Sequence, residues 1–404
     1  MSYTHEDLDW LIGHPEAVAA AEELPLTRRT SVADVASLRA RFGDHARALA
    51  ELVTARRGAV SKVPAGWLVC SESAQQATPA AVAAVRARYL ADQGVDAVVD
   101  VTCSVGTELA ALRGRVADVV GADLDGVRLR MAARNVPGVP LVRADALDAV
   151  VTAGVVVADP ARRGARGRIT DPAALMPPLP DLLAAYAGRE MAVKCAPGID
   201  YTDWEGQVDI VSVDGEVKEA CLYTPGLGVP GRRRAVVVRR GGGGGPGPGD
   251  GSGPGDGSGP GDAGVADGVT TLHSGMPETD GEASPVGEVI VDPDGAVVRA
   301  GLVRHYAARH GLRQLDPRIA YLTGETVPPG VRGFRVLEQV PLKKLRPALA
   351  AAGCGSVEIL VRGVDVDPDV LRRKLRLTGD RALSVVVTRI DRSPVAFVCE
   401  AVRG

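Results

Sequence analysis

The stretch Val95-Asp-Ala-Val-Val-Asp-Val-Thr-Cys-Ser-Val-Gly106 decides how the rest of the chain is read. Ala97-Val98-Val99 is a short apolar run of the kind that forms a parallel strand buried on both faces. Small and polar residues follow as far as Gly106. Thr107 stands as a candidate N-cap for a helix over Glu108-Leu109-Ala110-Ala111-Leu112. A strand, a tight turn and a helix N-terminus build a ligand seat at the carboxyl end of the strand. Small side chains there let the backbone approach the ligand. Gly106 alone does not make the Gly-x-Gly-x-x-Gly loop of a dinucleotide site. Asp100, at the strand end, suits a cationic ligand better than a pyrophosphate.

The pattern repeats downstream. Residues 116–122 read as a second strand, ending in Asp123-Leu124-Asp125. Asp123 is placed to accept two hydrogen bonds from ribose hydroxyls, and Asp125 to cap the helix that follows over 127–135. A third strand over 140–142 leads to Asp145-Ala146, where an acid can accept from an adenine amino group. A fourth, 155–158, ends in Asp159-Pro160-Ala161-Arg162-Arg163-Gly164. In a doubly wound sheet these four acids, Asp100, Asp123, Asp145 and Asp159, share one rim. A row of carboxylates calls for positive charge, and S-adenosylmethionine, with an ammonium and a sulfonium, fits it. Upstream, Gln75-Gln76-Ala77-Thr78-Pro79 reads as a helix start capped by Thr78, or else as a segment that sets Gln76 and Thr78 beside the ligand. Residues 190–198 supply a fifth strand, with Lys194 near its end. Closing antiparallel strands are expected over 208–213, 216–223 and 234–238, the first two joined by an Asp214-Gly215 hairpin turn.

Size and composition bound the rest. A chain of 404 residues, 46% hydrophobic and 24% charged, is an ordinary globular chain of more than one domain. The net charge of −3 makes the whole surface no polyanion magnet. No apolar run approaches the roughly 20 residues that span a bilayer, and Met1-Ser2-Tyr3-Thr4-His5 has no basic leader. The six cysteines are scattered without a Cys-x-x-Cys pair, and His305 and His310 have no metal-pair spacing. Neither a metal nor a disulfide framework is expected, and the cytoplasm is the expected compartment.

Residues 1–88 read as a helical N-terminal region, with helices over 16–23 and 31–55. Residues 241–285 are rich in Gly, Pro and Asp, repeat Gly-Ser-Gly-Pro-Gly-Asp in tandem, and are expected to be a disordered insert. Strand, turn and helix follow over 286–333. The last piece, 334–404, alternates strand and helix and holds thirteen Lys and Arg against eight acids. Local basicity on a negative chain points to nucleic-acid phosphates. Phe334 and Phe397 are its only aromatics, so backbone and shape contacts to folded RNA are favoured over base stacking.

Asp100-Val-Thr-Cys-Ser-Val-Gly-Thr107 resembles the Asp-Pro-x-Cys-Gly-x-Gly-Thr turn of class I S-adenosylmethionine-dependent RNA methyltransferases. Gln76-Ala-Thr-Pro79, Val120-Gly-Ala-Asp-Leu-Asp125 and Asp159-Pro160 also look like cap trimethylguanosine synthases. The whole chain looks most like bacterial class I methyltransferases with a ferredoxin-like subdomain and a C-terminal THUMP-like domain. That likeness rests on Val157-Ala-Asp-Pro-Ala-Arg-Arg163, Val193-Lys194, Ala196-Pro-Gly-Ile-Asp200, Ala300-Gly-Leu302 and Gln314-Leu-Asp-Pro-Arg-Ile-Ala-Tyr321. Ser104 departs from it, standing where the family has glycine. Arg162 departs too, standing where amino-group methylases have an aromatic.

The resemblance implies an α/β fold: a Rossmann-like methyltransferase domain over 89–240, part of a ferredoxin-like subdomain over 286–333, and a smaller α+β THUMP-like domain over 334–404. It implies S-adenosylmethionine as cofactor, held by Gln76, Thr78, Asp100, Thr102, Ser104, Gly106, Asp123, Leu124, Asp145 and Ala146. The catalytic set is Asp159, Pro160, Arg162 and Lys194, with Arg163, Arg166 and Arg168 beside Arg162 for substrate phosphate. The partner is RNA, tRNA or rRNA. Two alternatives stand beside this. In one, Cys195 attacks C6 of a pyrimidine ahead of C5 methylation, since Cys195-Ala-Pro197 faintly resembles the Cys-Asn-Pro of uracil-C5 methylases. In the other, an RNA-binding protein carries a non-catalytic S-adenosylmethionine-binding domain.

Overall fold

The computed structural model describes residues 3–162, 170–240, 268–391 and 393–404. Two compact units are distinguished, Met1–Arg232 with Val237–Thr270, and Arg233–Val236 with Thr271–Gly404.

The first unit begins with helices α1 (His5–Gly13), α2 (Pro15–Glu22), α3 (Ser31–Phe42) and α4 (Ala46–Ala59). Thr4 and Asp7 close a capping box on α1. The helix expected over 31–55 is two helices, because Gly43 turns into the left-handed region at φ 58° and ends α3. Leu8, Leu11, Leu38, Leu49 and Leu52 form their common core. Next come α5 (Ser71–Gln76) and α6 (Ala80–Asp92). The expected boundary at 88/89 falls inside α6, whose apolar face runs on through Tyr89 and Leu90 into the core beneath the sheet.

The sheet strands of this unit are β1 (Ala97–Asp100), β2 (Asp118–Asp123), β3 (Leu141–Arg143) and β4 (Val155–Ala158). Helices α7 (Thr107–Leu112) and α8 (Gly126–Asn135) connect the first three. A two-stranded sheet, β5 (Ala161–Arg162) with β6 (Leu175–Met176), and α9 (Leu179–Ala185) lead to β7 (Met191–Cys195). Strands β8 (Gln207–Val213), β9 (Glu216–Tyr223), β10 (Arg233–Val238) and β11 (Val269–His273) complete a nine-stranded sheet ordered β11-β10-β8-β9-β7-β4-β1-β2-β3. Strands β1 to β4 and β7 are mutually parallel, so their carboxyl ends share one rim. Strand β9 runs antiparallel to both β7 and β8. Asp214 and Gly215 both have positive φ, as the tight turn between β8 and β9 requires.

The low-complexity insert ends earlier than 285. Residues 241–267 lie outside the described residues, but Val269-Thr-Thr-Leu-His273 is β11, with Leu272 buried. The β-branched and apolar residues of this run suit a strand.

In the second unit, β12 (Val289–Val291), α10 (Gly295–Arg299), α11 (Val303–His310), β13 (Arg313–Asp316) and β14 (Ile319–Gly324) are followed by β15 (Arg332–Pro341). Then come α12 (Leu345–Ala351), β16 (Cys354–Val361), α13 (Pro368–Leu375), β17 (Arg381–Ile390) and β18 (Ser393–Arg403). One seven-stranded sheet, β13-β14-β12-β15-β18-β17-β16, joins them. The expected boundary at 333/334 falls inside β15, which pairs with β12 on one side and β18 on the other. The Gln314–Tyr321 motif is a β13–β14 hairpin. Gln314 Nε2 reaches the carbonyls of Asp316, Pro317 and Ile319 at 3.3 to 3.4 Å, tying the turn together. Asp367 caps α13 with Pro368 at its first position, as the sequence suggests. No helix among the described residues is long and apolar enough to cross a membrane.

Candidate active site

The shared rim of β1, β2, β3, β4 and β7 opens on a cleft of about 1000 Å³ within the first unit. Gln76, Thr78, Asp100, Thr102, Ser104, Asp123, Leu124, Asp145, Ala146, Asp159, Pro160 and Lys194 all line it. Gly106 and Arg162 are the two expected site residues not among its walls. Gly106 acts one step back, as described below. Arg162 is placed by its backbone alone, in β5, and its side chain lies outside what is described, as do Arg163, Arg166 and Arg168.

The opening turn is held by hydrogen bonds that the strand end supplies. Asp100 is buried, and its Oδ1 accepts from the Thr102 amide at 3.0 Å and the Thr102 hydroxyl at 3.4 Å. The Thr102 hydroxyl in turn accepts the Asp159 amide at 2.6 Å, tying the β1 end to the β4 end. Asp123 reaches across, with Oδ2 accepting from the Ser104 amide and Oδ1 from the Asp125 amide, both at 2.9 Å. Ser104 sits at φ 49°, the left-handed region that glycine enters freely. It keeps the shape that a glycine would take there, at a cost of about 1 kcal/mol. Gly106 is also left-handed, at φ 94°, and a Cβ would come within 2.8 Å of Val136. Gly106, not Thr107, is the N-cap of α7, and Thr107 is the first helical residue. Asp125 caps α8 through the amides of Val127 and Arg128.

Thr78 is not a cap either. The N-cap of α6 is Pro79, which leaves the Thr78 hydroxyl free to accept from Lys194 Nζ. Lys194 also donates to Asp159 Oδ2 at 2.5 Å and stands 3.9 Å from Glu108. Behind it, buried Arg86 grips Glu108 with Nε and Nη2 at 3.2 and 3.1 Å, and Glu219 with Nη1 at 2.5 Å. These partners settle the charges. Burial disfavours the Glu108 anion, but Arg86 and Lys194 prevail and hold its carboxyl below the usual range. Lys194 is held above its ordinary value by Asp159 and Glu108 in spite of burial. Asp100 is pushed up to about 8 by burial and by neighbouring Glu108.

The sequence reading missed Arg86, Glu108 and Glu219. Arg86 did carry a signal, for it falls four residues after Val82 on the buried stripe of an otherwise apolar helix. Glu219 carried none. It lies near the start of an antiparallel strand, and only the pairing of Cys195 with Ala220 brings it to the rim. Leu124 and Leu147 are exposed apolar side chains on the cleft wall, and Leu147 was not expected there. Cys195 lines the cleft but is buried, and burial pushes its thiol well up. All six cysteines are unpaired, and among the described residues no group of three or more His, Cys, Asp or Glu is arranged to hold a metal ion.

Comparison with known proteins bears on the family and the fold. The THUMP domain-like family model matches residues 331–401. Two relatives, each called an uncharacterized S-adenosylmethionine-dependent methyltransferase, come from Mycobacterium tuberculosis strains CDC 1551 / Oshkosh and ATCC 25618 / H37Rv. Each is 46% identical over 389 residues, spanning 91% of this chain and 100% of the relative. A crystal structure from Porphyromonas gingivalis W83, assigned provisionally as a methyltransferase, has the same fold. It aligns with a TM-score of 0.72 at 18% identity over 99% of each chain. The parallel strands with antiparallel β9 beside β7 form a Rossmann-like methyltransferase fold. The chain belongs to the family of S-adenosylmethionine-dependent methyltransferases, with a THUMP-like region at its C-terminus.

Proposed function

We propose that the chain methylates RNA, tRNA or rRNA, with the THUMP-like region presenting the substrate to the cleft. The observation that carries this reading is the presence in one chain of a methyltransferase cleft and a basic THUMP-like region. In that region, Arg362, Arg372 and Arg381 are tied to Asp292, Asp369 and Glu400. Among the described residues no ion pair engages Lys343, Lys344, Arg346, Arg373 or Lys374, which leaves them for phosphate contacts.

The cleft fits the cofactor. Its acids complement a cation, and Leu124 and Leu147 offer apolar faces for an adenine ring. The cofactor supplies a methyl group already activated by a sulfonium leaving group. In this reading Asp100 takes the ammonium, Asp123 the ribose hydroxyls and Asp145 the adenine amino group. Thr102 and Ser104 shape the turn through the bonds described above, Gly106 lets it pass close to α8, and Gln76 and Ala146 close the walls. Asp159, fixed by Lys194 at its carboxylate and by Thr102 at its amide, orients the methyl acceptor. Thr78 holds Lys194, and Pro160 stiffens the loop. Arg162, Arg163, Arg166 and Arg168 are assigned to substrate phosphate. Such a site works mainly by positioning. The Cys195 route fits less well, because a nucleophilic cysteine acts as thiolate and burial keeps this one protonated.

The test is transfer of tritiated methyl groups from S-adenosylmethionine to total RNA of cells lacking the gene, followed by mass spectrometry of the nucleosides. A labelled nucleoside missing from those cells is expected. Tight cofactor binding with no transfer to RNA would instead favour the non-catalytic alternative.

A further inference from the structure

The charged groups beneath the cleft do not balance. Two cations, Arg86 and Lys194, face four carboxylates: Glu108, Glu219, Asp159 and Asp100. Glu108 is satisfied by the two-pronged Arg86 contact, and Asp159 by Lys194. Asp100 faces the place assigned to the cofactor's ammonium. That leaves Glu219, which lines the cleft and is nearly buried. Its Oε1 is held by Arg86, and no second hydrogen bond reaches its carboxylate from the described residues. Burial pushes it up to about 7, against the pull of Arg86 and Lys194, with Glu108 and Asp159 adding to the rise. Facing it are Arg86 of α6, Glu108 of α7, Asp159 after β4, and Lys194 and Cys195 of β7.

We propose that Glu219 is the proton acceptor of methyl transfer, that Arg86 positions it, and that Asp159 serves to orient the acceptor. This deepens the methyl-transfer reading and rests on it. Transfer forms the acceptor–methyl bond and breaks the sulfur–methyl bond, whose electron pair stays on sulfur. The acceptor's proton passes to Glu219 Oε2 and later to solvent. Asp159 is the poorer base, since a proton on it would cost the Lys194 pair. A proton on Glu219 Oε2 weakens its pair with Arg86 but leaves the bond at Oε1 and the two bonds from Arg86 to Glu108 in place. The site loses the sulfonium's positive charge as it gains the proton, so its net charge is kept.

The experiment measures single-turnover transfer of tritiated methyl to total RNA across pH from about 5 to about 9, for the wild type, Glu219→Gln and Glu219→Asp. Cofactor binding is followed by calorimetry on each. Glu219→Gln is expected to bind cofactor normally, to transfer about 100-fold more slowly, and to lose the acid limb near neutrality. Glu219→Asp, which still titrates, is expected to keep a limb. Normal cofactor binding with an unchanged rate or limb in Glu219→Gln overturns the proposal. A wild type that binds cofactor but labels no RNA overturns the RNA reading instead. Infrared titration with cofactor bound, which needs no acceptor, then decides Glu219. A carboxyl band that titrates near neutrality and is absent from Glu219→Gln supports the proposal, and its absence from the wild type overturns it.

Discussion

Replacing Arg86 with Met tests whether the buried charges behind the cleft hold the first unit together. Met fills most of the volume of the arginine stem, so the change is chiefly one of charge. It removes three hydrogen bonds, two to Glu108 and one to Glu219, from a place where both acids are almost wholly buried. Breaking a buried ion pair from one side costs about 3–5 kcal/mol. Lys194, 3.9 Å from Glu108, stays behind and offsets part of this, so the low end, about 3 kcal/mol, is expected. For a unit of this size that is a fall in Tm of roughly 6–12 °C.

The pH dependence fixes the cause. In the wild type Glu108 is held below its ordinary value, so its pairing stabilises the fold above that value and is lost as pH falls. Without Arg86, burial governs Glu108 and pushes it up. The variant's defect should then be largest near pH 8 and smaller near pH 5, where the stranded acids take up protons. Arg86→Met combined with Glu108→Gln should recover more than half of the loss. Calorimetric unfolding at the two pH values is the assay. A Tm loss under about 2 °C, or an equal loss at both pH values, would refute the reasoning.

Asp123→Ala should weaken cofactor binding about 100-fold in calorimetry, because it removes the acceptor for the Ser104 and Asp125 amides along with the ribose contact; unchanged affinity would remove Asp123 from the site. Asp100, raised to about 8, favours the folded state when protonated, so its contribution is full below about pH 4 and is lost as pH rises through 8. Cofactor affinity should move the other way, increasing as pH rises through 8, and a flat or falling profile would show that Asp100 does not face the cation. Cys195→Ser should leave methyl transfer within about threefold of wild type, whereas a nucleophilic role would cost orders of magnitude.

Much of the first unit was legible because its strands are short apolar runs with acids at their ends, and those are local patterns. Asp100, Asp123, Asp145 and Asp159 could be placed on one rim before any contact was known, since parallel strands in one sheet bring their carboxyl ends to the same side. The Asp214-Gly215 turn and the Asp125 and Asp367 caps were legible for the same reason, as each acts within a few residues. The caps at Thr78 and Thr107 were misplaced by one residue, because a hydroxyl near a helix start can serve a distant partner, as Thr78 serves Lys194. Domain limits were less legible, because apolar periodicity does not reveal whether α6 or β15 ends at a boundary or continues through it.

By itself the sequence determined the alternation of strand and helix, the row of acids and the basic C-terminal piece. Only the tertiary structure decided that Lys194 pairs with Asp159 rather than snorkelling to solvent, that Arg86 is buried between two glutamates, and that an antiparallel strand carries Glu219 to the rim. The physical reason is range. Strand and turn preferences act over a few residues, whereas the ion pairs join positions as far apart as Arg86 and Glu219, and sheet pairing and burial decide which charges must meet.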